Sequence, residues 1–280
     1  MSLEVLVRRF WLEAGDPIRF PEGRSANALR GGFGACLRAT APPEIYTRLF
    51  EPTQDWRSVG GPSGFADPPR PFVFRTGHLD GRTIEKLDDF HFDVHLFGEP
   101  VGADYLTAAV EALFAKGIGV GRGKARLTAI ADQVVSLDLT PTETATRARV
   151  RFETPTELKH EGRVWSTPDF SILIRRIRDR VSNLMALYGN GQPEWDFRSF
   201  GEAAEQVRVL RTDVGTLEVQ RKSSRTGQTH SIGGMIGEAD YEGALDPFLP
   251  FLRTAYFTGV GRHTVWGNGC ISTEILSSGH

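Results

Sequence analysis

The sequence is poor in cysteine: its two, Cys36 and Cys270, stand 234 positions apart. That spacing offers neither a disulfide framework nor a metal-ligand motif, and it fits a reducing, cytoplasmic compartment. No apolar run approaches the ~18–20 residues of a membrane span, and the N-terminus has no basic-then-apolar leader. A soluble, non-exported protein without a membrane partner is therefore expected. Net charge is also nearly absent, with 33 Lys+Arg against 35 Asp+Glu, so the total gives no argument for a polyanionic ligand. Histidine is scarce at the front of the chain: of seven, none precedes His78. What remains is ordinary globular composition, 24% charged and 10% aromatic, which excludes wholesale disorder.

The charge is unevenly placed. Four windows, 23–43, 112–131, 219–237 and 247–273, contain no acidic residue, yet they hold 12 of the 33 basic ones. Segregation of this kind is what a polyanion-facing surface on an acidic body produces.

The chain also repeats itself. Gly119-Val120-Gly121-Arg122 recurs as Gly259-Val260-Gly261-Arg262, 140 residues later and half the length of the chain. Each copy follows a helical pattern: Leu106, Val110, Leu113 and Phe114 within 102–116, and Phe248, Leu249, Leu252 and Tyr256 within 246–257, where Asp246 is placed to cap. Each precedes a strand-like run. The first half reads strand 3–12, helix 25–39, strands 71–76 and 90–97, helix 102–116 and strand 125–136. An irregular excursion occupies 40–70. The second half reads strand 147–154, helix 168–188, a strand pair over 205–222, a strand 232–237, helix 246–257 and strand 264–276. Each half is βαββαβ, which predicts an α+β chain of two tandem ferredoxin-like, RRM-like domains. Their expected extents are 1–140 and 145–280, joined by a linker within 137–146.

The second glycine segment is the richest in chemistry. Gly259, Gly261, Gly267 and Gly269 flank Arg262 and His263 between a helix and the last strand. Dinucleotide and P-loop motifs need a strand, then glycines, then a helix; here the helix comes first. Four glycines around two basic residues predict contact with an RNA backbone, through N–H groups that approach phosphate closely. Alternation places His91, Asp93 and His95 on one strand face, which could bind a metal but more readily reads as a solvated or domain-facing strand. Arg221-Lys222-Ser223-Ser224-Arg225 reads as a hairpin tip, with Lys222 and Arg225 as candidate RNA contacts beside Arg38, Arg122 and Lys124.

The glycine-rich loop after the last helix resembles the hallmark of the repeat-associated RNA-binding proteins of CRISPR systems. Further segments resemble one branch, the repeat-processing endoribonucleases that form the sixth CRISPR-associated family. They are Leu29 to Arg38, Tyr46 to Glu51, Leu96-Phe97-Gly98, Phe152 to Leu158 and Gly233 to Gly237. The resemblance implies cleavage of precursor CRISPR RNA within its repeats, without metal or other cofactor. The implied partners are repeat RNA and other CRISPR effector subunits. Attack by the neighbouring 2′-OH needs a base, an acid for the leaving 5′-oxygen and cations for the phosphorane. Many members place a histidine in or just after the first helix, and this chain has none there. His263 is the replacement candidate, with Arg30 or Arg38 stabilising charge and Tyr46 donating a proton. Two other readings stay open: a guide-RNA-binding subunit that does not cut, and a metal-dependent hydrolase built on His91, Asp93 and His95.

Overall fold

Alternation in the first strand, β1 (Ser2–Ala14), is apolar on both faces. Leu6, Phe10 and Leu12 enter one hydrophobic core and Leu3 and Val5 a second. A strand buried on both faces sits between two layers, and this one ties the halves of the molecule together. The computed structural model describes residues 2–52, 68–99, 102–191, 196–222 and 229–277.

After a short β2 (Ile18–Arg19) come helices α1 (Ser25–Thr40) and α2 (Pro43–Phe50), strands β3 (Phe72–Arg75), β4 (Thr83–Ile84) and β5 (Asp89–Phe97), helix α3 (Ala103–Lys116) and β6 (Ala125–Asp138). The first sheet is antiparallel, ordered β3-β5-β1-β6. Helix α1 carries three interior glycines, unfavourable in isolation. Packing explains two of them: a Cβ on Gly32 would lie 2.4 Å from Leu113 of α3, and one on Gly34 2.9 Å from Phe50 of α2. The glycines let three helices approach closely. The first turn of α1 is capped from outside, where Ser25 N–H donates to Asp80 Oδ1 at 2.8 Å.

The second half holds β7 (Arg147–Thr156), a hairpin of β8 (Leu158–His160) and β9 (Arg163–Trp165), helices α4 (Phe170–Tyr188) and α5 (Phe197–Glu205), and β10 (Arg208–Leu217). Then follow the paired β11 (Gln220–Lys222) and β12 (Thr229–Ser231), β13 (Gly234–Glu242), α6 (Leu249–Thr258) and β14 (Ile271–Ile275). Its sheet is ordered β10-β13-β7-β14. Counted within each half, both sheets run second, third, first, fourth strand, the ferredoxin-like arrangement. The two Gly-Val-Gly-Arg segments fill the same slot in it, between the last helix of each half (α3 or α6) and the fourth strand of its sheet.

Several expectations need correction. The 40–70 excursion contains α2, because Pro43 opens a helix and Tyr46, Leu49 and Phe50 give it an apolar side; 53–67 lie outside the described residues. The 205–222 segments do not pair with each other: β10 pairs with β13 and β11 with β12. The segment between β6 and β7, within the expected linker 137–146, buries Leu139 and Ala145 in the second core. Asp246 does not cap α6; it accepts from Ala145 N–H, and Phe248 stands at the helix start. Tyr256 is exposed rather than part of that helix's buried stripe. The final strand is only 271–275, because Thr264–Trp266 form a 3₁₀ turn. Among the described residues, no helix is long and apolar enough to cross a membrane.

Candidate RNA-cleavage site

The loop that follows α6 is folded back on its own chain. Gly259, at φ 75°, ends the helix, and Val260 N–H donates to Gly269 O while Gly269 N–H donates to Pro155 O. Arg262 N–H donates to Glu157 O, and Gly267 N–H to Thr264 O. The glycines are demanded by contact as much as by conformation. A Cβ on Gly261 would stand 2.3 Å from Glu157 O, and one on Gly267 2.4 Å from the Cβ of Ala26 in α1. The N–H groups of Gly259, Gly267 and Gly269 are thus spent inside the protein. Direct donation from them to phosphate, as the glycine pattern predicted, is not the arrangement found. What the loop presents outward is side chains.

Those side chains join a continuous stack that crosses from one half of the molecule to the other. The guanidinium of Arg38 lies 4.9 Å from the ring centre of Tyr46, and Tyr46 stacks on Phe50 at 5.2 Å and 6°. Arg30 covers Phe50 at 5.4 Å on one side and Trp266 at 5.0 Å on the other. Trp266 stacks on His263 at 5.2 Å and 22°. His263 Nε2 is 3.9 Å from Glu157 Oε2, and the other carboxylate oxygen accepts from Arg262 Nη1. Cation–π contacts of this kind contribute ~0.5–2 kcal/mol each, more as water is excluded. Beside the stack, Glu157, Trp165, Gln220, Ser231, His263 and Trp266 help line a cavity of about 760 Å³.

An imidazole paired with a buried carboxylate, two guanidiniums and an open cavity can handle protons next to an anionic centre. Residues 150–271 match the model for CRISPR-associated endoribonuclease Cas6, and residues 3–151 match the AF_1859_N N-terminal domain. The second half of the chain is a Cas6 domain. The fold agrees. A Thermus thermophilus Cas6 is 18% identical, covering 98% of this chain and 99% of that one at TM-score 0.63. A Cas6 product complex is 20% identical, covering 96% and 99% at TM-score 0.62. A partial Cas6-RT-Cas1–Cas2 complex matches 99% of this chain and 47% of its own at TM-score 0.61, with 13% identity. No curated protein matches by sequence. That domain match supports an endoribonuclease of CRISPR RNA processing.

The folding brings Arg30, Arg38, Tyr46, Arg262 and His263 onto one line. Tyr46 stands four stacking steps from His263, so the phenol supports Arg30 through Phe50. Arg122 and Lys124 are exposed at the other glycine segment, whose Val120 N–H is held by Arg19 O. Arg225 and the side chain of Lys222 lie outside the described residues. The acid-free windows do adjoin one another: Gly32 meets Leu113, Gly267 meets Ala26, and Asn268 Nδ2 donates to Ile232 O. Acids from elsewhere offset part of their charge, Glu157 at Arg262 and Glu143 at Arg253.

The His91, Asp93, His95 face does not gather around a metal. Arg9 binds both oxygens of Asp93, His95 turns to a carbonyl of α6, and His91 stacks on His78 at 4.5 Å and meets Trp11 at a tilt at 4.7 Å. Among the described residues, no group of three His, Cys, Asp or Glu stands close enough to hold a metal ion. Glu157 escaped sequence reasoning as a functional residue. It is 105 positions from Arg262, and only the return of the loop onto the end of β7 joins them.

Proposed function

We propose that the protein cleaves precursor CRISPR RNA within its repeats by attack of a 2′-OH on the adjacent phosphate, without a metal. The 2′-oxygen loses its proton and bonds to phosphorus, the bond to the 5′-oxygen breaks, and that oxygen takes up a proton. The products are a 2′,3′-cyclic phosphate and a 5′-hydroxyl. His263 is the proton-transfer group, held by Trp266 and Glu157. Arg30, fixed between Phe50 and Trp266, neutralises the phosphorane, and the half-exposed Arg262 contacts phosphate. Tyr46 and Arg38 buttress the stack. Arg122, Lys124, Lys222 and Arg225 extend the RNA contact. The observation that supports this reading most is the unbroken stack joining α1 to the glycine loop.

Repeat RNA is the proposed substrate and other CRISPR effector subunits the proposed further partners, acting in the cytoplasm. The two ferredoxin-like domains are proposed to span 1–140 and 145–280. Incubation of the protein with its repeat RNA in excess chelator tests the chemistry. Cleavage to a cyclic phosphate end is expected; retention of intact RNA in chelator, with cutting on added Mg²⁺, would sink the metal-free mechanism.

A further inference from the structure

Helix α6 ends in three carbonyls, and each meets a basic side chain. Arg75 Nη2 donates to Tyr256 O at 2.6 Å, His95 Nδ1 to Phe257 O at 3.0 Å and Arg180 Nε to Thr258 O at 2.7 Å. The last carbonyls of a helix lack intrahelical donors and carry the negative end of its dipole, so cations are welcome there. Arg75 and His95 belong to β3 and β5 of the first sheet, whereas Arg180 comes from α4 in the second half.

The arrangement is expensive. All three side chains are buried, and among the described residues no carboxylate pairs with Arg75 or Arg180. Asp93, opposite Arg75 in the sheet register, is taken by Arg9. Burial first, and then the charge of Arg75, lower the Arg180 guanidinium to about 9. Arg75 Nε and Nη1 and Arg180 Nη2 are buried with no acceptor among the described residues. Apolar side chains would fill such a place at lower free-energy cost. Stability alone therefore does not account for the three donors. What they achieve is position: the residue after Thr258 is Gly259, where the loop bearing Arg262, His263 and Trp266 begins.

We propose that Arg75, His95 and Arg180 are positioning residues for RNA cleavage. Arg75 and His95 tie the end of α6 to the first sheet and Arg180 ties it to α4, and together they set His263 against Arg30. This rests on the reading of His263 and Arg30 as the reacting site. Two pairs of variants test it: His95→Leu with His95→Asn, which keeps an amide donor near the Nδ1 position, and Arg75→Met with Arg75→Lys. Misplacing a reacting group by about an ångström costs up to ~100-fold in rate. Single-turnover cleavage at saturating protein should fall about tenfold or more in His95→Leu and Arg75→Met, with RNA Kd changed by less than about threefold. Amide hydrogen exchange across 258–269 should quicken, and His95→Asn should recover most of the rate. Should the apolar variants not fold, Arg75→Lys carries the test, because it keeps the charge with a shorter reach. It should cleave more slowly at unchanged Kd. Faster loop exchange with an unchanged rate, or equal losses of rate and affinity, overturns the positioning role. A full rate in His263→Ala overturns instead the reading on which it rests, and leaves the exchange result standing.

Discussion

The guanidinium carbon of Arg30 stands 5.0 Å from the ring centre of Trp266, and through this contact the first helix of one ferredoxin-like half touches the glycine loop of the other. Trp266 serves two neighbours, since its indole also stacks on His263. Trp266→Ala should therefore release both the cation and the imidazole. We expect single-turnover cleavage to drop at least about tenfold and stability to fall by ~1–3 kcal/mol, the sum of lost stacking and partial burial. Trp266→Phe keeps a ring face and should lose much less of each. Equal losses in the two variants would show that the aromatic face is not what matters.

His263 itself is predicted to govern rate rather than affinity. Removing one acid–base group lowers a rate by ~10²–10⁴-fold, whereas a lost phosphate contact mainly weakens binding. His263→Ala should show the first behaviour at saturating protein. Glu157→Gln removes the carboxylate shared by Arg262 and His263 and should slow cleavage by a smaller factor, ~10-fold, without abolishing it. An unchanged rate in His263→Ala would exclude the imidazole from the chemistry.

These partners illustrate how much the sequence disclosed. The helix stripes were legible because Leu106, Val110 and Leu113, or Leu173, Ile177 and Val181, repeat at helical spacing and are all buried. The tandem arrangement was legible from a four-residue repeat in equivalent slots. Arg30, Tyr46 and His263 were named as one site because the implied architecture sets the first helix against the loop. The roles of the glycines and of Glu157 were not legible. A glycine required by a carbonyl 2.3 Å from its absent Cβ reads the same in sequence as one required by a phosphate. The carboxylate becomes informative only once the loop folds onto β7. The histidine pattern at 91, 93 and 95 left its alternatives open for a related reason. Strand alternation shares out faces, and the neighbours that claim each side chain come from other elements.

The glycines give a prediction opposite in kind to simple loss of RNA contact. Gly261→Ala places a Cβ against Glu157 O, and Gly267→Ala places one against Ala26, both at positive φ of 75° and 80°. Both variants should lose stability, by ~2–4 kcal/mol, because backbone must shift and left-handed strain adds ~1–2 kcal/mol. Gly121→Ala, at φ 92° with nothing within 4 Å, should show the strain alone. Thermal unfolding of the three proteins without RNA checks this. If Gly261→Ala proved no worse than Gly121→Ala, the packing account of the loop would be wrong.

The last prediction concerns pH. Burial, helped by the charge of Arg75 and slightly by Arg9, depresses His95 to about 3, against the opposing pull of the Phe257 carbonyl and Asp93. In the unfolded chain the same ring titrates near ~6.5. Between those values the unfolded state binds a proton that the folded state refuses, so stability must rise with pH across that window. The contribution of His95 is complete above about 6.5, and it is lost on acidification by at most ~1.4 kcal/mol per pH unit. Other groups also titrate there, so the informative quantity is a difference. His95→Asn keeps a donor for Phe257 O and removes the titrating ring. Urea unfolding of both proteins from pH 4 to pH 8 should give a shallower acid slope for the variant and converging slopes above pH 7. Parallel curves over the whole range would mean that the ring is not held neutral at the end of α6.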